Sequence, residues 1–263
     1  MRLPRLRLPG IPQHVVIRGN NRHTIFQSDH DCRVCLDYLA EASVKYSCDI
    51  HAYVLMPDHL HLLATPADAM GVSRMVQLLA RQYVQYYNKH YERSGTLWEG
   101  RYKSALVDDA SHGLACYQFI ESNPLRNNLC TDARDYPWSS HRCNGNPTSR
   151  SQRKERIDTL LKPLPSYLSL GGSATERRQH YQQRFTRDLD PAISSLIRRE
   201  THRSRVIGSD AFIHRIEQAL GIDLANKARG GDHRSKRYQL TVQQEPKNLL
   251  ERSPSHAVLG HLA

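Results

Sequence analysis

The sequence predicts an α+β protein in which helices pack on an antiparallel sheet and a helical extension follows at the C-terminal end. Two observations lead to this fold class. Segments with two-residue and 3.6-residue apolar periods follow one another over residues 14–122 in the order strand, helix, strand, strand, helix, strand, helix. Near residue 145 the composition becomes polar, and only short helical patterns follow. The order of the first part is that of a ferredoxin-like, split βαβ arrangement.

The signals for the individual elements are local. The first strand is a β-branched run, residues 14–18, which stops at the turn sequence Gly19-Asn20-Asn21. The first helix starts at the capping pair Ser28-Asp29 and runs towards Tyr46, with apolar residues at helical spacing. The remaining elements follow in order: two strands of a hairpin at 50–55 and 60–64, a helix at 71–91, a strand within 98–107 and a helix at 111–122.

These elements define a predicted first domain of residues 1–144. Residues 145–225 are expected to form a helical extension, which begins with a polar linker near Gly145. Residues 226–263 are basic and weakly periodic, so we expect a flexible tail there. Short helices of the extension are predicted near 157–161, 174–185, 193–202 and 209–220.

The charge of the chain favours some partners over others. Lys and Arg outnumber Asp and Glu by 37 to 26, which gives a formal net charge of +11. Such a charge favours a polyanion such as nucleic acid, although an anionic membrane surface would suit it equally well. Basic residues and prolines interrupt residues 1–9, and no later segment resembles a membrane span. We therefore expect a soluble cytoplasmic protein without a membrane partner.

The 6 cysteines form an even set, but without a secretion signal a disulfide framework is not expected. Cys32 and Cys35 have the C-x-x-C spacing of zinc and redox sites, yet they fall in a helical segment and no second close pair completes a zinc set. Reduced and partly buried thiols are the favoured interpretation, and a zinc or redox site is the alternative.

The triplet His59-Leu60-His61 is the most informative local motif. Alternation along a strand places both imidazoles on one face, and two neutral imidazoles side by side suit a divalent cation. A third ligand is needed, and Asn123 is a candidate because the helix that it ends can lie over that face. The alternative is two histidines on a solvated sheet face.

Aromatic and basic residues are interleaved in two segments, residues 81–93 and 98–103. Such mixtures suit unpaired bases, which stack on the rings while cations hold the backbone. Arg81, Arg101 and Lys103 are candidate DNA contacts on this basis. The alternative is that tyrosines of these segments fill the interface between helix and sheet.

Five segments together resemble the REP-associated tyrosine transposases, relatives of the small insertion-sequence transposases of the HUH class. The similarity runs in order through roughly residues 12–143, and weaker segments within 163–212 resemble the C-terminal extension of long family members. The five segments are Arg18-Gly19-Asn20-Asn21-Arg22, residues 51–63, residues 93–104, Asn123-Pro124-Leu125-Arg126 and Pro137-Trp138-Ser139-Ser140.

The resemblance implies a chemistry and its residues. In that family two histidines and an asparagine or glutamine hold Mg²⁺ or Mn²⁺, and a tyrosine attacks the phosphate of a folded single strand. The metal ligands here would be His59, His61 and Asn123. The family's tyrosine lies four residues before the asparagine, and this chain has Phe119 there. Four helical steps place Phe119 and Asn123 on one face, whereas the nearby Tyr117 should point away.

The resemblance also implies the partner, single-stranded DNA hairpins, with the protein acting as a monomer or homodimer. The energy of the broken bond is kept in a phosphotyrosine, so no nucleotide cofactor is expected. Two hypotheses follow: an enzyme that cleaves and rejoins strands, with Tyr117 as a relocated nucleophile, or a DNA-binding derivative that has lost cleavage. A relaxase-like replication initiator is a third, less favoured hypothesis. The predicted DNA contacts are Arg18, Asn20, Arg22, Arg81, Arg101, Lys103 and Arg126.

Overall fold

The computed structural model describes residues 5–145 and 156–224, and the described residues up to Ile222 form one compact unit. The chain alternates strands and helices as the periodicities predict. The strands are β1 (Gln13–Arg18), β2 (Cys48–Met56), β3 (His59–Pro66), β4 (Lys103–Val107) and β5 (Val206–Ile207). The helices are α1 (Asp29–Lys45), α2 (Gly71–His90), α3 (Leu114–Glu121), α4 (Asn123–Arg126), α5 (His141–Asn144), α6 (Pro165–Leu168), α7 (Ala174–Gln183), α8 (Pro191–Arg203) and α9 (Asp210–Leu220).

The strands form a single sheet in the order β2-β3-β1-β4-β5. The first four strands pair antiparallel, which confirms the predicted split βαβ sheet. Strand β5 pairs parallel to β4 and comes from the C-terminal extension. Its length of two residues explains why periodicity did not reveal it.

Helices α1 and α2 cover one face of the sheet, called the α2 face below. Alternate residues of β1 and β3 point into this layer, and Val15, Ile17, Leu60 and Leu62 are buried there. The N-terminus of α1 is fixed by a capping box between Ser28 and Asp31. Cys32, Cys35, Cys48 and Cys116 are buried, and Cys130 and Cys143 are half-buried.

Helices α3, α6, α7 and α8 pack on the opposite face, called the α3 face below. A fully buried carboxylate, Glu121 of α3, connects this helix to α5 and α7. Its two oxygens accept four hydrogen bonds, from Ser140 Oγ at 2.5 Å, Asn144 Nδ2 at 2.7 Å, His141 Nδ1 at 3.1 Å and Tyr181 OH at 2.8 Å. Because α7 contributes Tyr181, this network connects the extension to α3 and α5.

The predicted helix at 111–122 is present but divided. Residues Asp109–Gly113 form a π-helical turn, in which a Cβ atom at Gly113 would lie only 2.1 Å from Asp109 Oδ1. The helix then ends at Glu121. Asn123 begins the short helix α4 and does not end α3 as the sequence suggested. The reason is Pro124, which has no N–H to continue the hydrogen-bond ladder.

The extension contains the three predicted helices α7, α8 and α9, while the helix expected at 157–161 is a 3₁₀ turn, Arg156–Leu160. Residues 146–155 of the predicted linker and the predicted tail 226–263 lie outside the described residues. The boundary at residue 144 stays a prediction. Within the described ranges, no helix is both long and apolar enough to span a membrane.

Candidate metal and nucleic-acid site

The histidine pair lies on β3, an interior strand of the sheet. His59 and His61 are opposite Arg18 and Val16 of β1, and all four side chains point to the α3 face. The two imidazole rings are 5.1 Å apart at their centroids. His61 is buried, whereas His59 is half-buried.

The ring nitrogens of His59 have different partners. Its Nδ1 atom lies 2.5 Å from the Asp58 carboxylate, which orients the ring and leaves Nε2 with a free lone pair. Asp58 is itself held by the segment after β1, since the Gly19 N–H donates to its carbonyl at 2.8 Å. Gly19 is needed there because a Cβ atom would lie 2.5 Å from the His23 carbonyl oxygen.

Asn123 lies beside this nitrogen. Its amide Nδ2 lies 3.2 Å from Nε2 of His59, and its Oδ1 accepts a hydrogen bond of 2.7 Å from the Asn127 amide. A rotation of about 180° about the Cβ–Cγ bond exchanges the oxygen and nitrogen positions of the amide. Asn127 Nδ2 also donates to the Asn123 carbonyl oxygen at 2.9 Å, so the Asn127 side chain must move when Oδ1 of Asn123 faces His59.

His14 is a site residue that the sequence reasoning missed. It lies on β1, is 1% exposed and stacks on His61 with ring centroids 5.0 Å apart. Its Nε2 is 2.8 Å from Nδ1 of His61, and its Nδ1 is 2.8 Å from the Thr201 hydroxyl of α8. A lone histidine at the start of a β-branched run gave no signal for this role.

Burial keeps the imidazoles neutral. It lowers the pKa of His14 to about 3, with the nearby Arg126 charge adding to the effect. Burial also lowers the pKa of His61 well below its ordinary value, and that of His59 more moderately because Asp58 opposes the shift. Neutral imidazole is the form that binds metal ions.

The residues present fit a divalent cation. Within the described ranges, no group of three His, Cys, Asp or Glu side chains is arranged to hold a metal. The ligand set therefore needs the amide oxygen of Asn123 beside Nε2 of His59 and Nε2 of His61. The site offers two neutral imidazoles, and the Nδ1 atom of each is held by a hydrogen bond. Beside them lies an amide group that can present its oxygen.

The side chain at position 119 faces the histidines His14 and His61. Phe119 is buried, and its ring lies 5.9 Å from the His61 ring and 5.6 Å from the His14 ring, edge-on to both. The Arg126 guanidinium covers the Phe119 ring at 4.4 Å, and Arg198 of α8 lies 5.9 Å from the ring centroid. The expected common face of Phe119 and Asn123 is thus present.

Tyr117 points elsewhere, as the helical arithmetic predicted. It is fully buried between Tyr167 and Tyr181, with ring centroids 5.7 Å and 6.0 Å away. Its hydroxyl oxygen accepts a hydrogen bond of 3.1 Å from the Leu164 N–H. Burial raises the pKa of Tyr117. These contacts are those of a core residue.

A cavity of about 590 Å³ opens beside the histidines. Four basic side chains line it: Arg18 of β1, Arg101 and Lys103 before and in β4, and Arg198 of α8. Glu99 also lies on its wall. Three of these four cations are predicted DNA contacts, and the structure brings these three together beside His61.

The other predicted DNA contacts are placed differently. Arg126 is partly buried and donates to the Ser122 hydroxyl and the Phe119 carbonyl. Asn20 and Arg22 lie in the 3₁₀ turn after β1, at the end of the strand near His59. Arg81 is exposed on α2 and therefore lies on the other side of the sheet.

Comparisons with known proteins agree with the sequence resemblance. Residues 9–123 match the model of the family described as "Transposase IS200 like". A REP-associated tyrosine transposase, solved bound to a REP hairpin, is similar with a TM-score of 0.46 and 15% identity over 59% of this chain and 90% of that chain. A candidate transposase from Deinococcus radiodurans R1 is similar with a TM-score of 0.33 and 21% identity, over 49% and 95%. No curated protein matches the chain in sequence.

Proposed function

We propose that this protein, whose residues 9–123 match the model of the IS200-like transposase family, binds folded single-stranded DNA in the cavity beside His61. We further propose that it has lost strand transfer through a tyrosine of α3. The observation that supports the loss of strand transfer is the placement of two residues of α3. Phe119 faces His61 without a hydroxyl group, and the Tyr117 hydroxyl is bonded to Leu164 inside the core.

The chemistry of position 119 decides between binding and transfer. A phosphotyrosine requires an oxygen nucleophile beside the polarised phosphate, and a phenyl ring has none. For Tyr117 to attack, α3 would have to turn and the rings of Tyr167 and Tyr181 would have to separate. Such a change would also expose the buried network around Glu121 on the same helix. Tyr117 is therefore proposed to be a packing residue.

Binding of the strand is supported by charge and by shape. The cavity lies at the surface of a protein with a formal net charge of +11, and four cations line it. Arginine and lysine neutralise backbone phosphates whatever the base sequence. Arg18, Arg101 and Lys103 are proposed to hold the backbone, and Asn20 and Arg22 to meet the strand where it leaves the cavity.

Mg²⁺ or Mn²⁺ is the proposed cofactor, held by His59, His61 and Asn123. A divalent cation bound there supplies a Lewis acid for a phosphate oxygen. The chain itself prepares the ligands, because Asp58 orients His59 and His14 orients His61. In a protein that only binds DNA, the same ligands would anchor one phosphate of the strand beside Phe119.

The second candidate is an active transposase that cleaves and rejoins strands through a phosphotyrosine. The observation in its favour is that His59, His61 and Asn123, the proposed metal ligands, lie together with Asp58 and His14 beside them. Tyr117 is the tyrosine of α3, so this candidate requires the rearrangement of α3 described above.

Incubation of labelled single-stranded hairpins with the full-length protein and Mn²⁺ tests both candidates on a denaturing gel. We expect binding without a cleaved strand or a covalent adduct. Phe119→Tyr should create an adduct, because its ring already faces His61. His59→Ala combined with His61→Ala in the Phe119→Tyr protein should remove both the adduct and Mn²⁺ binding.

The tyrosine variants separate the two candidates. A wild-type adduct that disappears in Tyr117→Phe would establish the active transposase and refute the loss of transfer. If Phe119→Tyr is folded by circular dichroism and binds Mn²⁺ and hairpin DNA but still forms no adduct, position 119 is not the nucleophile position. Absence of any hairpin binding would refute the DNA-binding proposal itself.

A further inference from the structure

A buried chain of hydrogen bonds connects the C-terminal extension to the histidine pair. The Thr201 hydroxyl of α8 is 2.8 Å from Nδ1 of His14, and Nε2 of His14 is 2.8 Å from Nδ1 of His61. The exposed fractions of Thr201, His14 and His61 are 3%, 1% and 8%, so little water competes for these bonds. Thr201 lies outside residues 9–123, the part that matches the family.

We propose that Thr201 is a positioning residue that determines which ring nitrogen of His61 carries the proton, and thereby whether His61 can bind a metal ion. This inference rests on the proposed role of His61 as a ligand. A neutral imidazole has one N–H and one free lone pair. His61 can bind a metal through Nε2 only if its proton is on Nδ1.

The protons along the chain are coupled. A proton on Nδ1 of His61 is donated to Nε2 of His14, so His14 must carry its own proton on Nδ1. That proton is donated to the Thr201 oxygen, which acts as the acceptor. In this arrangement every ring nitrogen that takes part has a partner, and Nε2 of His61 keeps its lone pair.

The reverse arrangement blocks the site. If Thr201 donates to Nδ1 of His14, then His14 donates from Nε2 to Nδ1 of His61, and the proton of His61 moves to Nε2. A protonated Nε2 cannot bind a metal ion. A hydroxyl at position 201 can act as the acceptor that the first arrangement requires, and an apolar side chain there cannot, so the side chain at position 201 decides whether that arrangement is available.

Packing keeps the rings in this geometry. His14 and His61 are stacked with an interplanar angle of 11°, and the edge of Phe119 contacts both rings. A change at position 201 therefore acts on the protons of two fixed rings. The C-terminal extension would in this way control a site whose proposed ligands all lie in the transposase domain.

Two variants separate the hydroxyl from the shape of the side chain. Thr201→Val keeps the β-branched shape but leaves the His14 Nδ1–H without an acceptor. Since a buried donor without a partner is rarer and less tolerated than a buried acceptor without one, the reverse arrangement becomes favoured. Thr201→Ser keeps the acceptor and should restore wild-type behaviour.

The experiment uses full-length protein with ¹⁵N-labelled histidine, and two-bond nitrogen–proton NMR correlations assign each tautomer without metal. The wild type and Thr201→Ser should carry Nδ1–H on His14 and on His61, and Thr201→Val should carry Nε2–H on both. Mn²⁺ affinity, measured by calorimetry, should fall about 10–100-fold in Thr201→Val and stay near wild type in Thr201→Ser.

The outcomes distinguish this inference from the proposed function. Nε2–H on His61 in the wild type, or unchanged tautomers in a folded Thr201→Val, would overturn the inference. Loss of affinity in Thr201→Ser as large as in Thr201→Val would also overturn it, because the hydroxyl would then not be the cause. If the tautomers are as stated but wild-type protein binds no Mn²⁺, the positioning role stands and the proposed metal site fails.

Discussion

The two faces of the sheet are held in different ways. On the α2 face, Val15, Ile17, Leu60 and Leu62 pack against apolar residues of α1 and α2. On the α3 face, buried apolar residues surround polar groups that are just as deeply buried, among them His14, His61 and Glu121. Where the strands contact the helices, the first face is stabilised mainly by shape and burial, and its buried carboxylate, Asp31, lies in the first turn of α1. The second face has directed hydrogen bonds on the sheet itself.

This difference teaches where each face tolerates change. An apolar core accepts side chains of similar volume, because contacts without direction can be remade. A buried polar network does not, because each donor needs its acceptor in one place. The residues of the α3 face also come from distant parts of the chain, since α8 follows β1 by more than 170 residues. One substitution there disturbs several segments.

The largest effect is expected at the centre of the polar network. Glu121→Gln keeps the shape of the side chain but turns its amide N–H groups towards two of the four donors, and these two lose their carboxylate acceptor. At about 1–3 kcal/mol for each orphaned buried group, unfolding free energy should fall by about 2–6 kcal/mol. Leu62→Met, a matched change on the α2 face, should cost less than about 1.5 kcal/mol. Urea denaturation of both variants measures the two costs.

The comparison breaks if these two costs are equal. A Glu121→Gln protein as stable as wild type would mean that the network rearranges freely, as an apolar core does. An unusually costly Leu62→Met would mean that the α2 face is as specific in shape as the α3 face is in hydrogen bonding.

The same contrast decides what the sequence could predict. The four main strands and α1 and α2 were predicted because their apolar periods record burial against one layer. The pair His59 and His61 was predicted because its two members are neighbours on one strand. His14, Asp58 and Thr201 were not, because strand register and the docking of α8 bring them to the pair. Helix α4 was missed since Asn-Pro is typical of a turn.

The next effect is a dependence of stability on pH that belongs to the α3 face. In the metal-free protein, folded His14 has a pKa of about 3, far below the ordinary value of 6.5. Below pH 6.5 the unfolded chain therefore binds a proton that the folded protein excludes, and stability falls as the pH falls towards 3. Between pH 7 and pH 4.5 this costs about 2–3 kcal/mol.

His14→Phe keeps a stacked ring and removes this proton site. The difference in unfolding free energy between pH 7 and pH 4.5 should shrink by about 2–3 kcal/mol, measured with EDTA present. Val15→Ala, the next residue of β1 on the α2 face, should lower stability by the same amount at both pH values. An unchanged pH difference in His14→Phe would mean that His14 is not held neutral by burial.

The smallest effect is expected in the salt dependence of DNA binding, compared between the two faces. Arg101 lines the cavity of the α3 face, and Arg81 is equally an exposed arginine but lies on α2. Both replacements by Ala lower the net charge by one, so long-range attraction to DNA changes by the same amount. A direct phosphate contact differs, because it releases a counterion. Arg101→Ala should therefore reduce the slope of log affinity against log salt by about 1, and Arg81→Ala should leave it unchanged.

Fluorescence anisotropy of labelled hairpins over a salt series gives both slopes. Equal reductions would show that the aromatic and basic residues of α2 also contact the strand, as the interleaved sequence of residues 81–93 suggested. The α2 face would then be a second DNA surface. A reduced slope for Arg101→Ala alone would place the strand on the α3 face, where the histidine pair, Phe119 and α8 meet. The slope counts the phosphates that the protein neutralises, so a smaller slope means that Arg101 itself contacted a phosphate.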